Sequence, residues 1–120
     1  MRTMLIVDDS DFMRSFIKRC ATSLGIDVIG EAECGREAVK KFKELNPFFV
    51  TLDIVMDDMS GLEALRLIME HNPEANVMLI SSLAKQEPFR TDAANLGAKW
   101  FLEKGNIRED LLISLKDMLK

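Results

Sequence analysis

Asp8 and Asp9 close one short apolar run, Asp53 closes another, Ser81 and Ser82 a third, and Lys104 follows a fourth after Glu103. Carboxylates brought together repel. At ~4 Å each pair costs about 1 kcal/mol in water and about 4 kcal/mol at an effective dielectric near 20. A hard divalent cation relieves that strain. A ligand set of oxygens, without thiolate or imidazole, selects Mg²⁺, with Mn²⁺ as substitute, over zinc or copper. Mg²⁺ keeps several waters and commonly shares its site with phosphate oxygens, so the acids predict a phosphate partner as well.

Several phosphate chemistries are excluded. No G-x-x-x-x-G-K-[ST] run is present. Where a dinucleotide fold would place its glycines, the chain has Val7-Asp8-Asp9-Ser10-Asp11, which repels a pyrophosphate or a flavin phosphate. What remains is a carboxylate acting as nucleophile toward a small phosphoryl donor to give an acyl phosphate. Phosphoryl transfer asks mainly for positioning and for neutralising the equatorial oxygens. Mg²⁺, Lys104 and the Ser81 hydroxyl would supply three such contacts.

The elements that must position these groups alternate between two periods. Thr3–Val7, Asp27–Ala32, Phe48–Leu52, Asn76–Ile80 and Lys99–Leu102 read as strands. Helical spacing lies between and after them. It runs through Met13, Phe16, Ile17, Cys20, Ala21 and Leu24, with Ser10 or Asp11 as N-cap and Gly25 as stop. It returns through Ala38, Val39, Phe42 and Leu45 up to Asn46-Pro47, and through Leu62, Leu65, Ile68 and Met69 up to Asn72-Pro73. A weaker pattern holds Phe89, Ala93 and Leu96 before Gly97, and a last one Ile107, Leu111, Leu112, Leu115 and Met118. The first, third and fourth strands are continuously apolar, as in a parallel sheet covered on both faces. The expected fold is α/β, a doubly wound five-stranded parallel sheet of flavodoxin-like order 2-1-3-4-5, with its site at the carboxyl ends of the strands.

Length and composition agree. The 120 residues fit one domain, 1–120, large enough to fold without a disulfide or metal staple. Sixteen basic residues against twenty acidic ones give a net charge of −4, which argues against a nucleic-acid partner. No apolar run reaches the ~20 residues of a membrane span. The apolar start is cut short by Asp8 and Asp9, unlike a signal peptide. Cys20 and Cys34 form no CxxC and suggest a reducing, cytoplasmic setting.

Four stretches taken together resemble the receiver domain of bacterial response regulators: Leu5-Ile6-Val7-Asp8-Asp9, Thr51-Leu52-Asp53-Ile54-Val55-Met56 with Met59-Ser60-Gly61, Ile80-Ser81, and Phe101-Leu102-Glu103-Lys104. Phe12-Met13-Arg14, Gly30-Glu31-Ala32 and Gly35-Arg36-Glu37-Ala38-Val39 are most similar to the single-domain chemotaxis regulators of that family. The resemblance implies a phosphorylation-driven signalling switch rather than a turnover enzyme. It implies Asp53 as phosphoacceptor, Asp8, Asp9, Asp53 and the Val55 carbonyl as Mg²⁺ ligands, and Lys104 as the phosphoryl partner. Ser81 and Phe101 would be the moving parts. The implied partners are a sensor histidine kinase and a downstream effector, such as a flagellar motor switch, or a phosphatase. These would meet a monomer whose face of fourth helix, fifth strand and fifth helix changes on phosphorylation.

The sequence departs from the family where Asp57 and Gly105 replace the usual prolines. A cis bond before a non-proline residue costs about 2.5–4 kcal/mol, so a trans Lys104–Gly105 bond and a freer Lys104 loop are expected. Val55 and Leu83 stand where the family tunes loss of the phosphoryl group, and neither can orient a water, which predicts a long-lived phosphoform. Asp57 and Asp58 read as a solvated loop, His71 as a surface helix end and Trp100 as a sheet-edge packer. Three other readings stay open: a receiver-shaped module that is not phosphorylated, a dehalogenase-type phosphatase, which needs a second Asp where Val55 stands, and a receiver trimmed from a larger regulator. The chain ends on Lys120 without linker residues, which favours a free-standing protein.

Overall fold

The computed structural model describes residues 2–120. Five parallel strands, β1 (Thr3–Val7), β2 (Asp27–Ala32), β3 (Phe49–Leu52), β4 (Asn76–Ile80) and β5 (Trp100–Leu102), form one sheet in the order β2-β1-β3-β4-β5. The helices are α1 (Asp11–Ser23), α2 (Gly35–Leu45), α3 (Gly61–His71), α4 (Phe89–Leu96) and α5 (Ile107–Met118). This is the doubly wound architecture that the alternating periods predict.

Strand alternation sorts the apolar side chains into two cores. Leu5, Val7, Val50, Leu52, Val77 and Leu79 pack with Ala38, Phe42, Leu65, Ile68 and Ala93 of α2, α3 and α4. Met4, Ile6, Phe49, Met78 and Ile80 pack with Ile17, Ala21, Leu111 and Leu115 of α1 and α5. Both faces of β1, β3 and β4 are therefore dry, and the first polar residue past each strand emerges at a rim.

The helix signals act as their chemistry dictates. Ser10 and Ser60 cap α1 and α3, their hydroxyls accepting from the Met13 and Glu63 amides. Gly97 ends α4 at φ 114°, where a side chain would also strike Met69. Two strand starts differ from expectation by one residue. The Phe48 amide donates to Thr3 Oγ1 at 3.0 Å and its carbonyl accepts from the Asn76 side chain at 3.1 Å, so side chains occupy its backbone and β3 starts at Phe49. Lys99 already donates to the Val77 carbonyl at 3.1 Å, but regular pairing starts with Trp100. Trp100 packs at the sheet edge as expected, its indole N–H donating to Asp117 at 2.9 Å. Among the described residues no helix is long and apolar enough to cross a membrane.

Candidate functional site

The order of strands places β1 between β2 and β3, so Asp8 and Asp53 leave neighbouring strands. The Asp8 amide donates to Ala32 O at 3.1 Å and the Asp53 amide to Val7 O at 3.2 Å, which extends the ladder one step into the site. Asp8 is 1% exposed and Asp53 4%, whereas Asp9 is open to solvent. Carboxylate oxygens of all three lie within 4.8 Å of one another. Asp53 Oδ1 accepts from the Val55 amide at 3.2 Å, and Asp8 Oδ1 from the Ser10 amide at 2.9 Å.

Lys104 reaches this cluster from a single 3₁₀ turn, residues Lys104–Asn106, beyond β5. Its Nζ lies 2.9 Å from Asp8 Oδ2 and 3.0 Å from Asp53 Oδ2. The Lys104–Gly105 bond is trans, as the missing proline predicts, and the lysine nonetheless rests among the carboxylates. Burial pushes the Asp8 carboxyl above its usual range, and the Ser10 amide and Lys104 only partly offset that. Burial pulls the Lys104 ammonium the other way, but the adjacent Asp8 and Asp53 carboxylates win and raise it.

This geometry tests whether the residues fit a divalent cation. Asp8 Oδ2 is buried without an aligned hydrogen-bond donor, because Lys104 meets it as a charge and not along a hydrogen-bond direction. Two further carboxylates stand beside it, and no sulfur or imidazole is in the set. A buried, charged, undirected oxygen in an all-oxygen group fits Mg²⁺.

Ser81, 1% exposed, follows β4, and its amide donates to the Leu102 carbonyl at 3.0 Å. Its Oγ accepts from the Leu83 amide at 3.3 Å, whereas Ser82 is exposed. Phe101 is half-buried against the α2–α3–α4 core, with the Arg90 guanidinium 5.0 Å from its ring centre. The Val55 side chain is exposed and that of Leu83 is tucked against the core. His71 lies exposed at the end of α3, edge-on to Phe42.

Three residues matter more than their sequence context suggests. Asp58 is not merely a solvated loop acid. Its carboxylate accepts from the amides of Gly35, Arg36 and Met59, each at 2.8 Å, and so fastens the β3–α3 loop to the start of α2. The Arg36 amide, ahead of the others, holds its carboxyl down at about 2. A Cβ on Gly61 would stand 2.0 Å from the Asp53 carbonyl, so only glycine lets α3 start this close to the strand end. Arg14 sits at the buried spacing of Ile17 and Ala21 on α1, a core position for a cation, and that anomaly was visible in the sequence.

The model of the response regulator receiver domain matches residues 4–116. The chemotaxis protein CheY of Listeria monocytogenes is 43% identical over all of both chains. That of Thermotoga maritima is 44% identical over 86% of this chain and 85% of its own. A chain in the crystal structure of the CheX–CheY–BeF3–Mg complex from Borrelia burgdorferi superposes with a TM-score of 0.90 at 38% identity, covering 98% of this chain and 89% of its own. Acids at two adjacent strand ends, a lysine beyond the fifth strand and whole-length similarity of this kind place the chain in the response regulator receiver domain family, among receivers of the CheY type.

Proposed function

We propose that this receiver works as a Mg²⁺-dependent phosphorylation switch with Asp53 as its acceptor. The observation that carries the reading is the Lys104 ammonium 3.0 Å from Asp53 Oδ2, beside carboxylates of Asp8 and Asp9 within 4.8 Å. An Asp53 oxygen attacks phosphorus on a phosphohistidine of a sensor kinase. A P–O bond forms, the P–N bond breaks with its electron pair passing to the ring nitrogen, and the imidazole, already protonated on its other nitrogen, leaves neutral. Asp8, Asp9, Asp53 and the Val55 carbonyl would hold Mg²⁺, which supplies charge neutralisation at the phosphoryl oxygens. Lys104 shifts its ammonium from the bare carboxylate to a phosphoryl oxygen. The Val55 amide, already donating to Asp53 Oδ1, keeps the carboxylate oriented.

The Ser81 hydroxyl is buried and accepts from the Leu83 amide in the resting geometry, and among the described residues it donates to none, which leaves its proton for a phosphoryl oxygen. Moving it releases the Leu83 amide and lets Phe101 repack. The consequence falls on the face of α4, β5 and α5; beside it Lys85 of the β4–α4 loop, Phe101 of β5 and Asp110 and Ile113 of α5 line a shallow groove. Chemotaxis partners, a motor switch component or a phosphatase, follow from the whole-length similarity to CheY proteins and to the CheX-bound chain. Val55 and Leu83 offer no group to orient water toward the phosphoryl, so the phosphoform is long-lived.

Amide chemical shifts recorded with beryllofluoride and Mg²⁺ test this. Changes are expected at Asp53, Ser81, Phe101 and Lys104 and across α4–β5–α5. A spectrum unchanged by the phosphoryl mimic would overturn the reading.

A further inference from the structure

We propose that Arg14 is a positioning residue for the cation, acting through the peptide that joins Asp8 to Asp9. The inference rests on the metal reading above and adds a residue to it.

Arg14 is 8% exposed, an unusual place for a guanidinium. One Nη donates to the backbone carbonyl of Asp8 at 2.6 Å. That carbonyl belongs to the Asp8–Asp9 peptide plane, whose orientation sets how the two side chains diverge. The Ser10 amide holds the Asp8 carboxylate from one side, whereas the Asp9 side chain is exposed and, among the described residues, takes no hydrogen bond or ion pair, so its backbone directs it. Fixing that plane therefore aims Asp9 at the cluster.

The arginine is itself held. Its Nε donates to Glu31 at 3.2 Å, the second Nη pairs with Asp11, and Glu33 lies 3.5 Å away. Lys18, 3.6 Å from Glu31, ties the same carboxylate. Acids on β2 and the β2–α2 loop thus lock a guanidinium whose inward donor points at the metal loop. Its planar fork spans both tasks at once, which a lysine's single ammonium cannot do. Groups that orient metal ligands from behind typically alter affinity by about 10–100-fold when removed.

The test is Mg²⁺ affinity, read from amide shifts of Asp8, Asp9 and Asp53 at a temperature where every variant is folded by circular dichroism. Arg14→Met and Arg14→Lys are expected to weaken Mg²⁺ binding about tenfold or more. Ile17→Val, which perturbs the same buried face of α1 without touching the loop, is expected to bind within twofold of wild type. Arg14→Lys serves alone if Arg14→Met does not fold. Wild-type affinity in the arginine variants, or an equal loss in Ile17→Val, would sink the positioning role. Failure of the wild type itself to bind Mg²⁺ would instead remove the metal reading on which this inference stands.

Discussion

Neutralising Asp8 should make the metal-free protein more stable. Lys104 attracts the Asp8 carboxylate across 2.9 Å, about 5.7 kcal/mol at an effective dielectric near 20. Asp9 and Asp53 each repel it from within 4.8 Å, about 3.5 kcal/mol apiece or more on the same footing. Asp9 is open to solvent and its share is screened, so attraction and repulsion come close to cancelling, and burial, the largest influence on the Asp8 carboxyl, tips the balance against its charged form. One lysine therefore cannot balance three acids. In Asp8→Asn the amide oxygen still accepts from the Ser10 amide, so the turn survives. We expect a gain of roughly 1–2 kcal/mol in EDTA, or about 3–6 °C in Tm for a domain of this size. Wild type should recover about 2.7 kcal/mol when free Mg²⁺ reaches a hundred times its Kd, and the variant should not. Thermal melts followed by circular dichroism, with and without Mg²⁺, read both effects. A lower Tm for Asp8→Asn in EDTA, or equal Mg²⁺ stabilisation of both proteins, would refute the electrostatic reasoning.

Three further outcomes are expected. Gly61→Ala drives a methyl into the Asp53 carbonyl and the Ile54 backbone, and should cost about 1–3 kcal/mol and weaken Mg²⁺ binding; a melt superimposable on wild type contradicts this. Asp58 has its folded value lowered to about 2, below the ~3.9 of an unfolded chain. Its contribution is present above pH ~4 and fades as pH falls toward about 2, so the Tm gap between wild type and Asp58→Asn should close over that window; a gap independent of pH would be the wrong result. Val55→Asn and Leu83→Glu each place a group able to orient water near the acyl phosphate, and should speed phosphate release from the phosphoform; unchanged release in both removes the case for a long lifetime.

The site was legible wherever a residue broke the rule of its own element. Acids ending a run buried on both faces, and a lysine just past a strand, are anomalies that local pattern exposes. Ser81 and Ser82 could not be separated that way, since one step of register decides, and burial settles which of the pair is enclosed. Phe48 fell on the wrong side of a strand boundary because its partners are the side chains of Thr3 and Asn76, remote in sequence. Asp58 escaped for the same reason, its amide partners on α2 lying more than twenty residues away. The two missing prolines were legible as departures, but not their remedy. The Asp58 carboxylate anchors the loop that Asp57 leaves unrestrained, and Lys104 finds the carboxylates without a cis bond.

The most direct test of the central claim is the intact mass after incubation with acetyl phosphate and Mg²⁺. The account predicts a gain of one phosphoryl group in wild type, lost in EDTA and absent from Asp53→Asn. No gain in wild type, or a gain that persists in Asp53→Asn, would contradict it.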